Sequence, residues 1–399
     1  MRRRSTARPT SELTVGWWRH GYASVARLRR DGGGSDELPV RLLGRPAVVV
    51  RRRELVERFY DEEWVRRKGA VPPPLARLLF GRGAIHGLDG EEHLHRKRQF
   101  LDLLDERAAH DVAATARRLL EAELDAGHGD AFDLLARVYG RAVLDWAGVS
   151  AGDGDALSRD LAAIVHGFGG HSYVHGWRAR LRCDRWARGE IRRARAEGSR
   201  ATPLGRVAHW TGGDGRLLPV PVAAVELLNV LRPTVAVAYL GAFAVHALAA
   251  DPDERMSIAK DPERAEAFAQ EVRRRFPFVP ALAAVARRDG DWGGCPVRAG
   301  QRIVLDVLGV DHDPARHSRP EEVVGERYAD GLPGPYDLIP QGGGHPESGH
   351  RCPGEPLAVV LLTTTVATVA AAPVSLDTRG WDDSRIPARA RVTITRAGQ

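Results

Sequence analysis

The sequence predicts a mainly α-helical protein with small peripheral β-sheets, organised around one cysteine. Three observations carry that prediction. Helix-compatible segments dominate the middle of the chain, from 108 to 276, and strand-like pieces are confined to its flanks. A long apolar segment, 220–249, is interrupted by Asn229-Val230-Leu231-Arg232-Pro233. The glycine-rich stretch Gln341-Gly342-Gly343-Gly344-His345-Pro346-Glu347-Ser348-Gly349-His350-Arg351-Cys352-Pro353-Gly354-Glu355 delivers Cys352 to an apolar run that begins at Leu357.

In chain order, residues 1–35 form an arm with a short helix over 12–30, ended by Gly32-Gly33-Gly34. The rest, 36–399, is one domain, because no internal repeat and no long linker divides it. Val40-Arg41-Leu42-Leu43 and Ala47-Val48-Val49-Val50 flank Gly44-Arg45-Pro46 and read as a hairpin. A helix follows over 52–60. Between 66 and 90 the chain is loop-like. Pro72-Pro73-Pro74 stops a helix there, and Gly81, Gly83 and Gly87 keep the chain irregular around Phe80 and His86. Helical character resumes over 91–104, where His93 and Lys97 are four apart on one face. Helices over 108–126, 131–146, 155–168 and 177–197 come next. The break at 167–176 lies among His166, His171 and His175, whose irregular spacing reads as surface histidines rather than a metal cluster. A helix over 262–276 precedes strand-like pieces at Val297 and 303–307, the cysteine loop and its helix, and a last strand over 391–395.

Composition narrows the function. Hydrophobic content of 43% is ample for a core. Net charge is +7, yet only Lys68, Lys97 and Lys260 among the 59 basic residues are lysines. Basic and acidic residues are interspersed, with no basic run beyond Arg51-Arg52-Arg53 or Met1-Arg2-Arg3-Arg4, so no nucleic-acid partner is expected. Cys183, Cys295 and Cys352 are far apart and lack CxxC spacing. That argues against zinc and a disulfide framework, and fits a reducing cytoplasm. The basic N-terminus leads into no apolar h-region, so it is not a secretory signal. The charge-free run 357–376 holds four threonines and Pro373, which makes it a buried core helix rather than a membrane span.

Four groups carry candidate chemistry. Pro353 directly after Cys352 sits where a helix can begin. A sulfur there faces unpaired N–H groups and the positive end of a helix dipole, which favour thiolate. Glycines let the backbone close around it. A buried thiolate open on one side suits a haem iron; the bland alternative is a free core cysteine. Glu271 and Arg274 stand i,i+3 and alone contribute little. Followed by Arg275-Phe276-Pro277-Phe278-Val279-Pro280, they read as a structural clasp. Pro233 deprives the Asn229 carbonyl of its helical partner and kinks the axis. Arg232 beside it must reach water or bind an anion. A snorkelling surface arginine is the alternative, and apolar Leu227, Leu228, Val230, Leu231, Val235 and Val237 argue against it. His86, taken alone, is an ordinary turn histidine.

Several segments together resemble cytochrome P450, and within it the fatty-acid peroxygenase/decarboxylase (CYP152-like) family. They are Phe80-Gly81-Arg82-Gly83-Ala84-Ile85-His86, Leu231-Arg232-Pro233-Thr234, Gln270-Glu271-Val272-Arg273-Arg274, Phe276-Pro277-Phe278-Val279-Pro280, Asp337-Leu338-Ile339-Pro340-Gln341-Gly342-Gly343-Gly344 and His350-Arg351-Cys352-Pro353-Gly354-Glu355. They span residues 60–360 in the family's order. Ordinary P450s carry an acid–alcohol pair on the long central helix, where this chain has Arg232-Pro233 as the peroxygenases do. Ordinary P450s also place a phenylalanine seven residues before the cysteine; here that residue is His345.

The resemblance implies the P450 fold and a haem b cofactor (iron protoporphyrin IX) with Cys352 as its axial thiolate and metal ligand. It implies that Arg67, His93, Lys97 and His350 hold the haem propionates, and that Arg327 joins Glu271 and Arg274 in the clasp. Arg232 would bind the substrate carboxylate, with Pro233 fixing the helix that aims it and Phe80 and His86 lining the pocket. The implied reaction uses hydrogen peroxide to hydroxylate a carboxylic acid at the α or β carbon, or to decarboxylate it to a terminal alkene. A fatty acid is the expected substrate, its own carboxylate is the general acid–base, and no redox partner is required. The alternative is a conventional P450 monooxygenase fed by redox partners and acting on a non-fatty acid. Family members with His at the His86 position tend towards decarboxylation, and those with Gln towards hydroxylation.

Overall fold

The computed structural model describes residues 11–397 apart from 127–128, 150–151, 153 and 169–171. The basic start of the chain and His171 therefore lie outside the described residues. A helix running from Val220 to Ala250 forms the axis of the molecule. Its residues are apolar on every side, and a helix of that kind is stable only when surrounded. Helices Ala131–Ala147, Tyr173–Glu197 and Glu355–Ala371 pack around it. By length and composition this helix could cross a membrane, yet 78% of its apolar window is buried inside the protein.

Proline bears on the helices at two places. The central helix runs through Pro233 as one element, as the sequence reading of a single kinked helix has it. An interior proline costs about 3 kcal/mol, and the buried apolar turns on both sides outweigh that cost. Pro72-Pro73-Pro74 does not stop a helix but starts one, Pro73–Leu79, because the first-turn N–H groups it lacks are not needed. That short helix ends against the central one and presents Leu79 and Phe80 to Arg232.

The strands form a five-stranded sheet ordered Leu38–Leu42, Arg45–Val50, Arg302–Asp306, Ala281–Ala286, Val65–Arg66. Strand Arg45–Val50 is antiparallel to its hairpin partner and parallel to Arg302–Asp306, with Val49 opposite Val304. A three-stranded sheet joins Gly129–Asp130, Arg389–Arg396 and Val374–Asp382, and Gly290–Trp292 pairs with Cys295–Val297. Strand Ala281–Ala286 escapes a sequence reading because its alanine-rich run lacks the β-branched pattern. The run 357–376 likewise ends as a helix at Ala371 and turns into a strand at Val374. Near the N-terminus, helices Leu13–His20 and Ser24–Asp31 bury Leu13 and Val25 with Val40 and Val304, and Arg29 bonds Asp306 at 2.6 Å.

Helices Gly154–Phe168 and Tyr173–Glu197 cross where Gly167 and Gly176 meet, too close for either to carry a side chain. His166 at this crossing is not a surface residue. Its Nδ1 lies 2.7 Å from the Tyr239 hydroxyl, and burial holds the imidazole down to about 4. His175 is exposed.

The expected clasp forms on helix Arg264–Arg275. Arg274 Nε and Nη2 each donate to the Glu271 carboxylate at 2.8 Å, and Arg327 Nε adds a third bond at 2.9 Å. Both Glu271 and Arg274 have no exposed surface. Arg274 also donates to the carbonyls of Asp311, Pro320 and Glu322, so the clasp ties the loop ahead of the cysteine to the helical core. Breaking a buried ion pair from one side costs about 3–5 kcal/mol. Glu271→Gln should therefore lower the free energy of unfolding by that amount, read from a shifted denaturation midpoint, and an unchanged midpoint would show the clasp to be dispensable.

Candidate active site

The cysteine loop is closed by backbone bonds that only glycine permits. Gly342 adopts φ +103°, and its ideal Cβ would come within 3.1 Å of the Arg351 Cα. Cys352 N–H donates to the Gln341 carbonyl at 3.0 Å, and Lys97 Nζ donates to the carbonyls of Gly349 and Arg351. Helix Glu355–Ala371 begins after Gly354, three residues beyond the cysteine rather than at Pro353. Its first residue, Glu355, binds both Arg351, at 2.6 Å, and Arg273. Arg273 donates in turn to Gln341 Oε1 at 2.9 Å, so the helix start and the glycine loop are locked together.

Burial pushes the Cys352 thiol up, and Glu355 adds to that, against the Gly354 N–H, Lys97 and Arg273. The Gly354 N–H acts in the direction expected from the sequence, and burial opposes it. A coordinated metal ion deprotonates a thiol outright.

Beside the cysteine, His93 and His350 stack at 3.9 Å between ring centroids. Arg67 lies over Phe59 at 4.1 Å and donates to the Phe59 carbonyl at 3.1 Å. Buried His93 Nδ1 and His350 Nε2 have no hydrogen-bond partner, and Glu62 Oε1, 3.4 Å from His350, is not aligned for one. Glu62, His93 and His350 have the spacing of metal ligands. However, burial, and after it the positive charges of Arg67 and Lys97, depress His350 strongly and His93 to about 4. A cationic, donor-rich cluster with unused ring nitrogens suits two carboxylates better than a metal ion. Those are what haem propionates supply, so the residues present fit haem.

On the other wall, His86 stacks on Phe80 at 4.1 Å, in the 3₁₀ turn Ile85–Gly87. His86 has a large accessible surface, yet burial, followed by Arg232, His93 and Lys97, holds its imidazole down to about 3. Arg232 is 3% exposed, donates to the Leu79 carbonyl, and sits 6.0 Å from the Phe80 ring centre. Burial, and then Arg180, hold its guanidinium down to about 9. The apolar neighbours did exclude a snorkelling arginine.

This architecture decides the comparison with solved structures. Cytochrome P450SP alpha (CYP152B1), solved with (R)-ibuprofen, matches with a TM-score of 0.90 and 31% identity, covering 96% of this chain and 98% of that one. Ligand-free cytochrome P450 OleT matches with 0.90 and 30% identity, covering 97% and 98%. The chain is a cytochrome P450 of the CYP152 family. No family model matches it. A curated relative, cytochrome P450 105C1 of a Streptomyces species, is 30% identical over 136 residues, so the match spans about a third of either protein.

P450s carry haem, and Cys352, the His93–His350 pair and the Phe80–His86 stack are groups of this chain that fit it. Sequence reasoning missed the network that aims His86. Glu226 on the central helix is fully buried, bonds Arg96 at 2.6 Å, and accepts the Ile85 N–H and Asn229 Nδ2, each at 2.9 Å. It fixes the turn that carries His86. An Arg–Glu pair 130 residues apart leaves no local sequence signal; a charge in the apolar run at Glu226 was the only available one. Arg180 was missed for the same reason, and Arg232 is thus not the sole cation in the apolar centre.

Proposed function

We propose that this P450 is a peroxygenase that uses hydrogen peroxide to hydroxylate a carboxylic acid at its α or β carbon, or to decarboxylate it to a terminal alkene. A fatty acid is the substrate class, haem b the cofactor, and the cytoplasm its place. The observation that carries the reading is Arg232-Pro233. A buried guanidinium without an acidic side-chain partner among the described residues stands on the central helix, which carries the acid–alcohol pair in a conventional P450. The complexes of P450SP alpha with (R)-ibuprofen and of an OleT variant with arachidonic acid support a carboxylic acid as ligand.

When bound, the haem would pass the oxidising equivalents of hydrogen peroxide to the substrate carbon. The chain supplies geometry and charge. Cys352 would hold the cofactor's iron, and Arg67, His93, Lys97 and His350 would hold its carboxylates. Arg232 pins the substrate carboxylate as a planar fork. A carboxylate oxygen so placed can move a proton from one peroxide oxygen to the other, the work of a general acid–base. Overall, one peroxide converts the acid to a hydroxy acid and water, or to an alkene, carbon dioxide and two waters. Incubation with a panel of carboxylic acids and peroxide, with no reductant, should yield these products. Turnover that depended on electron-donating proteins would instead favour the conventional monooxygenase.

His86 would choose between the products. Pushed down to about 3, its imidazole is neutral throughout the working pH range, so it positions water or substrate without adding charge. His86→Gln should move the ratio towards hydroxy acids severalfold while the acid-induced spectral shift stays intact. The wild-type ratio should be flat from pH 6 to 9. An inflection in it near neutral pH would show that the imidazole titrates during turnover.

A further inference from the structure

Arg180 is the buried charged group that the mechanism leaves unused. It lies on helix Tyr173–Glu197, is 1% exposed, and its Nε and Nη2 have no hydrogen-bond partner. Asp184, one turn on, lies 2.9 Å from Nε, an ion pair without hydrogen-bond alignment. Its Nη1 points at the Leu79 carbonyl at 3.4 Å, and Arg232, from a different helix, donates to that same oxygen. Nη2 fills the space where a side chain on Gly81 would go, and Gly81, at φ +93°, holds the shape that admits it. Two guanidiniums thus converge on one neutral oxygen. Glu226, whose charge also acts on Arg232, is already bonded by Arg96, Asn229 and the Ile85 N–H.

A carbonyl is a weak counter-group for buried Arg232, and Arg180 brings a second positive charge beside it that Asp184 only partly offsets. An ionised carboxylate is the stronger acceptor, and where it draws Arg232 Nη1 to itself the Leu79 oxygen loses that donor. Without a second donor that oxygen would be left buried and unpaired, at a cost to binding. The structure assigns Arg180 as a positioning residue for the substrate carboxylate: it keeps the Leu79 carbonyl bonded while Arg232 turns to the acid, and adds a second positive charge behind it. This inference rests on the carboxylate reading above. It makes the acid subsite a device of two arginines, in which the Leu79 oxygen stands in for the acid until the acid arrives.

The test uses the haem-loaded protein and a saturated fatty acid, with the dissociation constant read from the acid-induced spectral shift. Imidazole, which carries no carboxylate, is titrated in parallel. Arg180→Gln should weaken the fatty acid about tenfold, the scale of one unpaired buried group. It should raise KM more than it lowers kcat and leave imidazole unaffected, and Arg180→Lys should recover part of the loss. Asp184→Asn, a partly exposed change outside the pocket, frees Arg180 from its counter-charge and should tighten the fatty acid severalfold. Unchanged fatty-acid affinity in both Arg180→Gln and Asp184→Asn would overturn the proposal, as would equal weakening of fatty acid and imidazole, which marks a purely structural role. A wild type that gives no acid-induced shift at all removes the carboxylate reading itself, and this inference with it.

Discussion

Cys352→Ala should abolish the thiolate-type absorption of the reduced carbonyl complex altogether, and peroxide turnover with it. No other described cysteine can substitute. Cys183 is buried on helix Tyr173–Glu197, where burial pushes its thiol up to about 12, and Cys295 sits in the two-stranded hairpin Gly290–Trp292/Cys295–Val297. The loop itself should survive, because its closure rests on the Cys352 N–H, Lys97 and the Arg273–Glu355–Arg351 bonds, none of which uses the sulfur. Folded protein that has lost the band is therefore the expected result, checked by circular dichroism beside the spectrum. Persistence of the band in the alanine variant would mean that the axial ligand lies elsewhere.

Much of this was legible in the sequence because the informative features are local. A glycine-rich run before a cysteine, a Glu-x-x-Arg pair and an Arg-Pro step in an apolar helix each announce their geometry within a few residues. The hairpin and the long helices were legible for the same reason. What escaped depends on distant partners. Pro72-Pro73-Pro74 looks like a stop until the helix Pro73–Leu79 is seen to start there. Ala281–Ala286 is a strand only because Arg302–Asp306 and Val65–Arg66 lie beside it. His166 reads as a surface residue until Tyr239, 73 positions away, claims its ring. Glu226–Arg96 and Arg180–Leu79 are likewise pairings that only the tertiary fold creates, and they are what aim His86 and Arg232.

Arg232→Ala should be the most damaging change in the pocket that leaves the haem in place. The guanidinium is buried against apolar turns of the central helix, and Pro233 next to it fixes the backbone that aims it. Taking one partner from a buried ion pair costs about 3–5 kcal/mol, which is a loss of roughly two to four orders of magnitude in carboxylate affinity. Raising the acid concentration should not restore the rate, because the carboxylate that moves the peroxide proton is no longer held in place. Arg180 nearby should retain a remnant of binding without the alignment. Arg232→Lys keeps a charge but not the planar fork and should rescue only in part. Wild-type protein given a substrate without a carboxyl group should be inactive, and adding a short carboxylic acid should restore turnover by occupying the arginine. Full peroxide-driven activity of Arg232→Ala on a fatty acid would place the proton relay on another group, and His86 and the Glu226 network behind it would be where to look.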